Sequence, residues 1–284
     1  MKLKEISTDR GLFAYREYGK PTNPPIVMIH GWPETSYAWH HVASLLEDKY
    51  RPIAIDLRGA GGSNRVLDKA LYSKDQLSSD IYAVLDKLGI DSFYLAGHDW
   101  GSAVVQEMAF AQPNRIKKLV LLNMVIIHNK IGKAAAYKVL GQKLFYSFWY
   151  QFFQNLKELP EILIKGKENE WVRFFMRGMS SSVPEESIAE YVKSYQIEGS
   201  ITCAANLYRT MGIDAKRWQS YEGQKIPIPA KMIYGNLDPV IIREYLTDIE
   251  SCFEDISISE LDTGHFVMDE KPKEVAEIMK GFLA

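Results

Sequence analysis

Five residues constrain this chain more than any others. Gly97-His98-Asp99-Trp100-Gly101 has the small-x-nucleophile-x-small form of a sharp strand-to-helix turn, with aspartate at its centre. The preceding Ser92-Phe93-Tyr94-Leu95-Ala96 is short, apolar and aromatic, which predicts a buried strand. From Ser102 to Phe110 apolar residues recur at helical spacing until Pro113 closes the segment. Small residues at both shoulders are what so abrupt a reversal requires. A serine at the centre would suit acyl transfer. An aspartate is already ionised at neutral pH and can displace a leaving group from a saturated carbon, giving an alkyl ester that water must then cleave. The turn therefore points to the opening of epoxides or carbon–halogen bonds. The alternative is an ordinary turn whose aspartate caps the following helix.

The rest of the chain alternates in a way that suits such a turn. Leu3 to Ser7 and Leu12 to Tyr18, joined through Asp9-Arg10-Gly11, read as a hairpin. Further strands are expected at Ile26–Ile29, Pro52–Ile55, Phe93–Ala96, Leu119–Leu122, Lys231–Tyr234 and Ile256–Leu261, with helices such as Trp39–Glu47 and Gln76–Leu88 between them. Strand and helix in alternation imply an α/β fold with a mostly parallel sheet covered on both faces. From about Ile126 to Glu222 no strand is evident, only helical runs rich in aromatics, such as Phe145-Tyr146-Ser147-Phe148-Trp149-Tyr150-Gln151-Phe152-Phe153. The expected organisation is a core domain of residues 1–125 and 223–284 with a helical cap, 126–222, inserted into it. At 284 residues and 46% hydrophobic content the chain can bury both.

Composition excludes several classes of function. A net charge of −2 leaves no basic footprint for nucleic acid. Cys203 and Cys252 lie far apart and fit no metal or redox spacing, so no metal is expected and the setting is read as reduced and cytoplasmic. The polar start, Met1-Lys2-Leu3-Lys4-Glu5, lacks a signal-peptide core, and the longest apolar stretch, Leu119 to Ile127, is too short to span a bilayer.

An ester-forming nucleophile needs an oxyanion hole, a base and a partner for the base. His30-Gly31-Trp32-Pro33 follows the strand at Ile26–Ile29, and its glycine lets the backbone approach a substrate. The N–H groups of Trp100, just after the nucleophile, and of Trp32 are the expected oxyanion donors. A glycine-proline loop without a ligand is the alternative. His265, in the loop that leaves the last strand, is the expected base, because nucleophile, acid and histidine then follow in chain order. Of the other histidines, His30 and His98 sit inside the two motifs, His40 and His41 fall on a helix, and His128 lies where the cap begins. Asp238, in Tyr234-Gly235-Asn236-Leu237-Asp238-Pro239, is the expected acid, beyond a strand at the end of the sheet where such sites gather. Glu260 and Asp262 are too close in sequence to reach back to the His265 ring. Asp56 is read as structural, holding the glycine-rich turn.

With these parts in order, the chain resembles an α/β-hydrolase of the epoxide hydrolase branch, close to the haloalkane and haloacetate dehalogenases. The resemblance is strongest in His30-Gly31-Trp32-Pro33-Glu34-Thr35-Ser36-Tyr37-Ala38-Trp39, in Asp56-Leu57-Arg58-Gly59-Ala60-Gly61-Gly62-Ser63 and in the Asp99 turn. It implies a cis peptide before Pro33, a lid over the site, and two cap tyrosines that hold the epoxide oxygen. Tyr150, in Trp149-Tyr150-Gln151-Phe152-Phe153-Gln154, and Tyr208, in Asn206-Leu207-Tyr208-Arg209-Thr210-Met211, are similar to these two. No organic cofactor is implied. The expected substrate is a small apolar epoxide, with water as co-substrate, bound by Trp32, Trp100, Tyr150, Tyr208, Phe153 and Phe266.

Two alternatives remain beside that reading. A dehalogenase would use the same aspartate, but a halide ion needs only N–H donors and no proton, whereas an opened epoxide is an alkoxide for which a phenol is a suitable donor. Haloacetate dehalogenases typically carry arginine after the nucleophile to hold the substrate carboxylate, where this chain has Trp100. A non-catalytic hydrolase fold that binds a small hydrophobic ligand is the other alternative, although here each expected catalytic position is filled.

Overall fold

The alternation of strands and helices resolves into a single eight-stranded sheet in the computed structural model, which describes residues 2–284. Its strands are β1 (Lys4–Thr8), β2 (Gly11–Glu17), β3 (Pro25–Ile29), β4 (Arg51–Ile55), β5 (Phe93–His98), β6 (Ile116–Leu122), β7 (Ala230–Gly235) and β8 (Ile256–Leu261). They lie in the order β1-β2-β4-β3-β5-β6-β7-β8, antiparallel at the β1–β2 hairpin and between β2 and β4, and parallel elsewhere. Every expected strand is present. Adjacent residues Ile26 to Ile29 in β3 are all without exposure, and so is Ile53 to Ile55 in β4. Neighbours on a strand point to opposite faces, so both faces of this part of the sheet are covered, as a parallel sheet requires.

Helices supply that cover. His40–Leu46, preceded by a 3-10 turn at Ser36–Trp39, packs with Pro272–Leu283, and Lys74–Lys87 packs with Trp100–Ala111. Between β6 and β7 the described residues form eight α-helices, from Lys130–Leu140 to Met211–Trp218, and no strand. This is the helical segment anticipated from the sequence. Among the described residues no helix is long and apolar enough to cross a membrane.

Buried carboxylates lock the helical segment to the sheet domain. Glu107 accepts hydrogen bonds from Trp218 Nε1 and Tyr221 Oη, each at 2.8 Å, and from Arg217 at 3.0 Å. Asp269 accepts from Ser187 and Tyr191, each at 2.7 Å. The most deeply placed lock is Lys74 with Asp214, whose side chains have no exposure at all. Asp214 takes the Lys74 backbone N–H on one oxygen and the ammonium on the other, both at 2.8 Å. The same ammonium donates to Leu207 O and to Thr210 Oγ1, which uses all three of its N–H groups.

A buried pair is worth little net, but breaking it leaves one charge stranded in the interior. Asp214→Ala is therefore expected to lower stability by about 3–5 kcal/mol. The double variant Lys74→Met/Asp214→Leu, which strands no charge, is expected to lose much less. Denaturant midpoints of the two variants check this. Equal losses would mean that the pair's charge is not what matters.

Candidate active site

The centre of the site is a backbone contortion. Asp99 has φ 48° and ψ −126°, a region that residues with a side chain enter only where the surroundings compel it, at a cost of about 1–3 kcal/mol. The surroundings here are tight. A Cβ on Gly101 would lie 2.3 Å from Ile29 O, so only glycine lets the helix Trp100–Ala111 start against the end of β3. The contortion lifts the Asp99 side chain clear of the sheet, into a cavity of about 550 Å³ between the strand ends and the helical segment.

The loop after β3 supplies the first partner. The Trp32 N–H donates to Asp99 Oδ1 at 2.8 Å, and the Trp32–Pro33 peptide that follows is cis, as the resemblance implies. Gly31 makes this approach possible, since a Cβ there would lie 2.4 Å from the Asp99 Cβ. The Asp99 carboxylate makes no capping bond to its own helix. Trp100, the first residue of that helix, thus keeps an N–H without an intrahelical acceptor.

The second partner comes from the loops after β7 and β8. His265 Nδ1 lies 2.7 Å from Asp238 Oδ2, and its Nε2 lies 3.5 Å from Asp99 Oδ2. Asp238 is fully satisfied: Oδ1 accepts the N–H groups of Val240 and Ile241 at 2.7 and 3.0 Å, and Oδ2 also accepts Asn123 Nδ2 at 2.7 Å. Neither nearby carboxylate competes, because Asp262 bonds Asn236 and Glu260 pairs with Arg243. Asp56 binds the N–H groups of Ser36 and Gly62, a structural task, as expected.

The charges in this chain of groups are interdependent. Burial opposes a charged His265, but the carboxylates of Asp238 and Asp99 outweigh it and hold the imidazole pKa well above its ordinary 6.5. Burial likewise opposes the Asp99 anion, and His265, His98 and the Trp32 N–H together keep that carboxyl below its ordinary range. Tyr150 and Tyr208 line the same cavity as Asp99, with ring centroids 5.8 Å apart, and burial raises both phenols above their ordinary pKa. They stay protonated and can donate. Trp100 packs edge-on to Tyr208, and the Lys74 ammonium lies 4.1 Å from the Trp100 ring centroid.

Three expected substrate contacts are corrected by packing, because none of them lies on the cavity wall. The Trp32 ring is stacked behind Tyr150 at 5.6 Å and held by Tyr195, so only its backbone faces Asp99. Phe153 turns toward Trp171 and Trp149, and its helical neighbour Phe152 meets the cavity instead. Phe266 is without exposure and lies against the rings of His98 and His265.

Several positions escaped the sequence reading. Asn123, unable to act as an anion, has φ 37° at the end of β6, from where it orients Asp238 and takes the Gly235 N–H on Oδ1. Glu34 bonds the Gly31 N–H and His98 Nδ1, and His98 Nε2 reaches His265 O, which links the three loops behind the site. Val240, Ile241 and Tyr245 form cavity wall directly after Asp238. An apolar run following a loop acid was the available signal.

Comparison with known proteins agrees with this fold. A family model described as the alpha/beta hydrolase fold matches residues 24–272. Among curated proteins, the chain is 27% identical to Epoxide hydrolase 1 of Caenorhabditis elegans over 291 residues, covering all of this chain and 69% of the relative. It is 26% identical to a fluoroacetate dehalogenase of Burkholderia sp over 275 residues, 93% of this chain and 88% of that one. Among solved structures, ALR0039 of Nostoc sp PCC 7120 superposes with a TM-score of 0.90 at 27% identity, covering 100% of this chain and 98% of that one.

The two flanking carboxylates make a testable demand on His265. Ring-nitrogen NMR is expected to find its imidazolium persisting well above pH 6.5. Removing either negative charge, by Asp99→Asn or Asp238→Asn, is expected to move that titration downward. An unchanged titration in both variants would mean that the carboxylates do not hold the proton.

Proposed function

The chain belongs to the α/β-hydrolase family, and from that premise we propose that it hydrolyses epoxides to vicinal diols through an alkyl ester on Asp99. The observation that carries the reading is the asymmetry of the Asp99 carboxylate. Oδ1 already accepts the Trp32 N–H, while Oδ2 faces His265 Nε2 and the two phenols line the cavity beside it.

In the first step Oδ2 attacks an epoxide carbon, the Oδ2–carbon bond forms and the carbon–oxygen bond of the strained ring breaks. Tyr150 and Tyr208 donate to the departing alkoxide, so the cap supplies the acid that this leaving group needs. By analogy with an oxyanion-hole donor, one well-aimed hydrogen bond is worth about 3 kcal/mol there. Esterification removes the negative charge of Asp99. His265 then keeps only Asp238 as a counter-charge and its pKa falls, so the proton it gives up replaces the one the phenols passed to the alkoxide, and the neutral imidazole is free to act as a base.

In the second step His265 takes a proton from water, which attacks the Asp99 carbonyl carbon. Charge develops on Oδ1, where the Trp32 N–H waits and the Trp100 N–H has no competing acceptor. Collapse breaks the bond between that carbon and Oδ2, the imidazolium returns its proton to Oδ2 as the diol departs, and His265 takes the remaining proton from the new carboxyl group, which restores the Asp99 carboxylate with the water oxygen in place of Oδ2. Asp238 holds the imidazole through Nδ1, with Asn123 and two backbone N–H groups keeping the carboxylate in place. The protein's own groups supply each proton transfer in this scheme.

Dehalogenation by the same Asp99 is the second reading, favoured by the likeness to a fluoroacetate dehalogenase. The two phenols beside Asp99 favour the epoxide over a chloride or bromide, which gains little from a proton donor.

His265→Gln, which lacks the base, is expected to stall at the ester. Intact mass after separate exposure to styrene oxide and to 1-bromobutane should reveal one styrene oxide adduct, absent in Asp99→Asn, with little from the bromide. A butyl adduct alone would move the assignment to dehalogenase, and no adduct from either would overturn the covalent mechanism.

A further inference from the structure

The cavity changes character along its length. At its inner end lie Trp100 and Tyr208, only 4% and 2% exposed, with Asp99 between them and the strand ends. At its outer end Tyr137 and Phe152 are 51% and 58% exposed, which locates the mouth beside the helix Lys130–Leu140. The walls between are mainly apolar, with Met124, Phe148 and Ile241 among them.

Two lysines of that helix border the cavity, and they differ in one respect. Lys130 is paired with Glu222 at the rim and is thereby neutralised. Lys133 is half-buried, and among the described residues no carboxylate lies within ion-pair distance of it. Its ammonium sits 5.5 Å from the Trp218 ring centroid and donates one hydrogen bond, 2.6 Å to Ile127 O. An ammonium has three donors, so two remain for a ligand. Burial depresses the lysine's pKa, a sign of incomplete hydration that the more distant charge of Glu222 on the same wall only partly offsets, and a poorly hydrated cation gains more from an anion than an exposed one does. His128, also on the wall, is pushed by burial toward its neutral form and adds no competing charge.

We propose that Lys133 forms an anion subsite that recognises a carboxylate on the substrate, at the end remote from the reacting carbon. The inference rests on the proposed hydrolysis and narrows it to amphipathic epoxides, apolar along the cavity and anionic at its mouth. It differs from holding a small carboxylate beside the nucleophile. There Trp100 offers only an indole, whereas Lys133 lines the cavity from the helix that borders its mouth. The charge at the mouth would also draw anionic substrates toward the opening, an effect that salt weakens.

Binding can be measured apart from turnover. Calorimetry with undecanoate and with undecanol, which share a chain and differ in charge, is expected to give about tenfold tighter binding of the acid, equivalent to ~1.4 kcal/mol. In Lys133→Met that preference should fall to near unity, and in Lys133→Arg it should largely persist. Added salt should erode it in the wild-type protein. Equal affinity for acid and alcohol in the wild type, or a preference retained in Lys133→Met, overturns the subsite. A variant that loses both ligands alike would assign Lys133 to structure and overturn it equally. The terminal epoxide of undecanoic acid and its methyl ester, assayed in parallel, report on the hydrolysis reading separately. A protein that binds undecanoate through Lys133 but turns over neither epoxide would keep the subsite and lose the reaction.

Discussion

Asp99 can stand where it does because the helix behind it starts almost in contact with the neighbouring strand. Gly101 meets the end of β3 with no space for a Cβ, and the reversal leaves Asp99 at φ 48°. That single close approach sets the direction of the Asp99 side chain, the start of the helix and the position of Trp32 opposite Oδ1. His98, inside the same turn, bonds Glu34 in the loop after β3 and the backbone of His265 in the loop after β8. The three loops are thus registered against one another by the residue next to Asp99. The strain is of the order of 1–3 kcal/mol, small beside the packing of a sheet whose inner strands are largely buried.

Charge balance is the second organising feature. A histidine between two carboxylates is held protonated, which suits the resting site but not a base. The proposed chemistry resolves the conflict, because the first step consumes the charge on Asp99 and lowers the proton affinity of His265 at the moment a base is needed. Asn123 matters here as a neutral residue. Its amide donates to Asp238 without adding a third negative charge to the site, and it holds the Gly235 N–H with its other end. The helical segment is tied down by Glu107, Asp269 and the Lys74–Asp214 pair, so the phenols of Tyr150 and Tyr208 are carried on a firmly docked body. Lys74 serves both ends of this arrangement, bonding Leu207 O beside Tyr208 and lying against the Trp100 ring.

Much of this was readable from residue types and their order. The alternating strands, the hairpin, the strand-free stretch after β6 and the assembly of Asp99, Asp238 and His265 all follow from local periodicity and from the chain order of loops at one end of a parallel sheet. The misplaced residues share a cause. Trp32, Phe153 and Phe266 are large, aromatic and adjacent to site residues, and adjacency in sequence does not say which way a side chain turns. One step along a helix rotates the side chain by about 100°, enough to exchange Phe153 for Phe152 at the cavity wall.

By itself the sequence determined the sheet, the sharp turn and which residue types stand at the candidate site, because these depend on short-range sterics and on the acid–base chemistry of single residues. Only the tertiary structure decided that Oδ1 and not Oδ2 meets the Trp32 N–H, and that Asn123 supports Asp238. It also decided that Lys133 reaches the cavity with donors to spare. Each of these depends on distances between segments far apart in the chain, set by how the strands stack and how the helical segment docks, which no local pattern encodes.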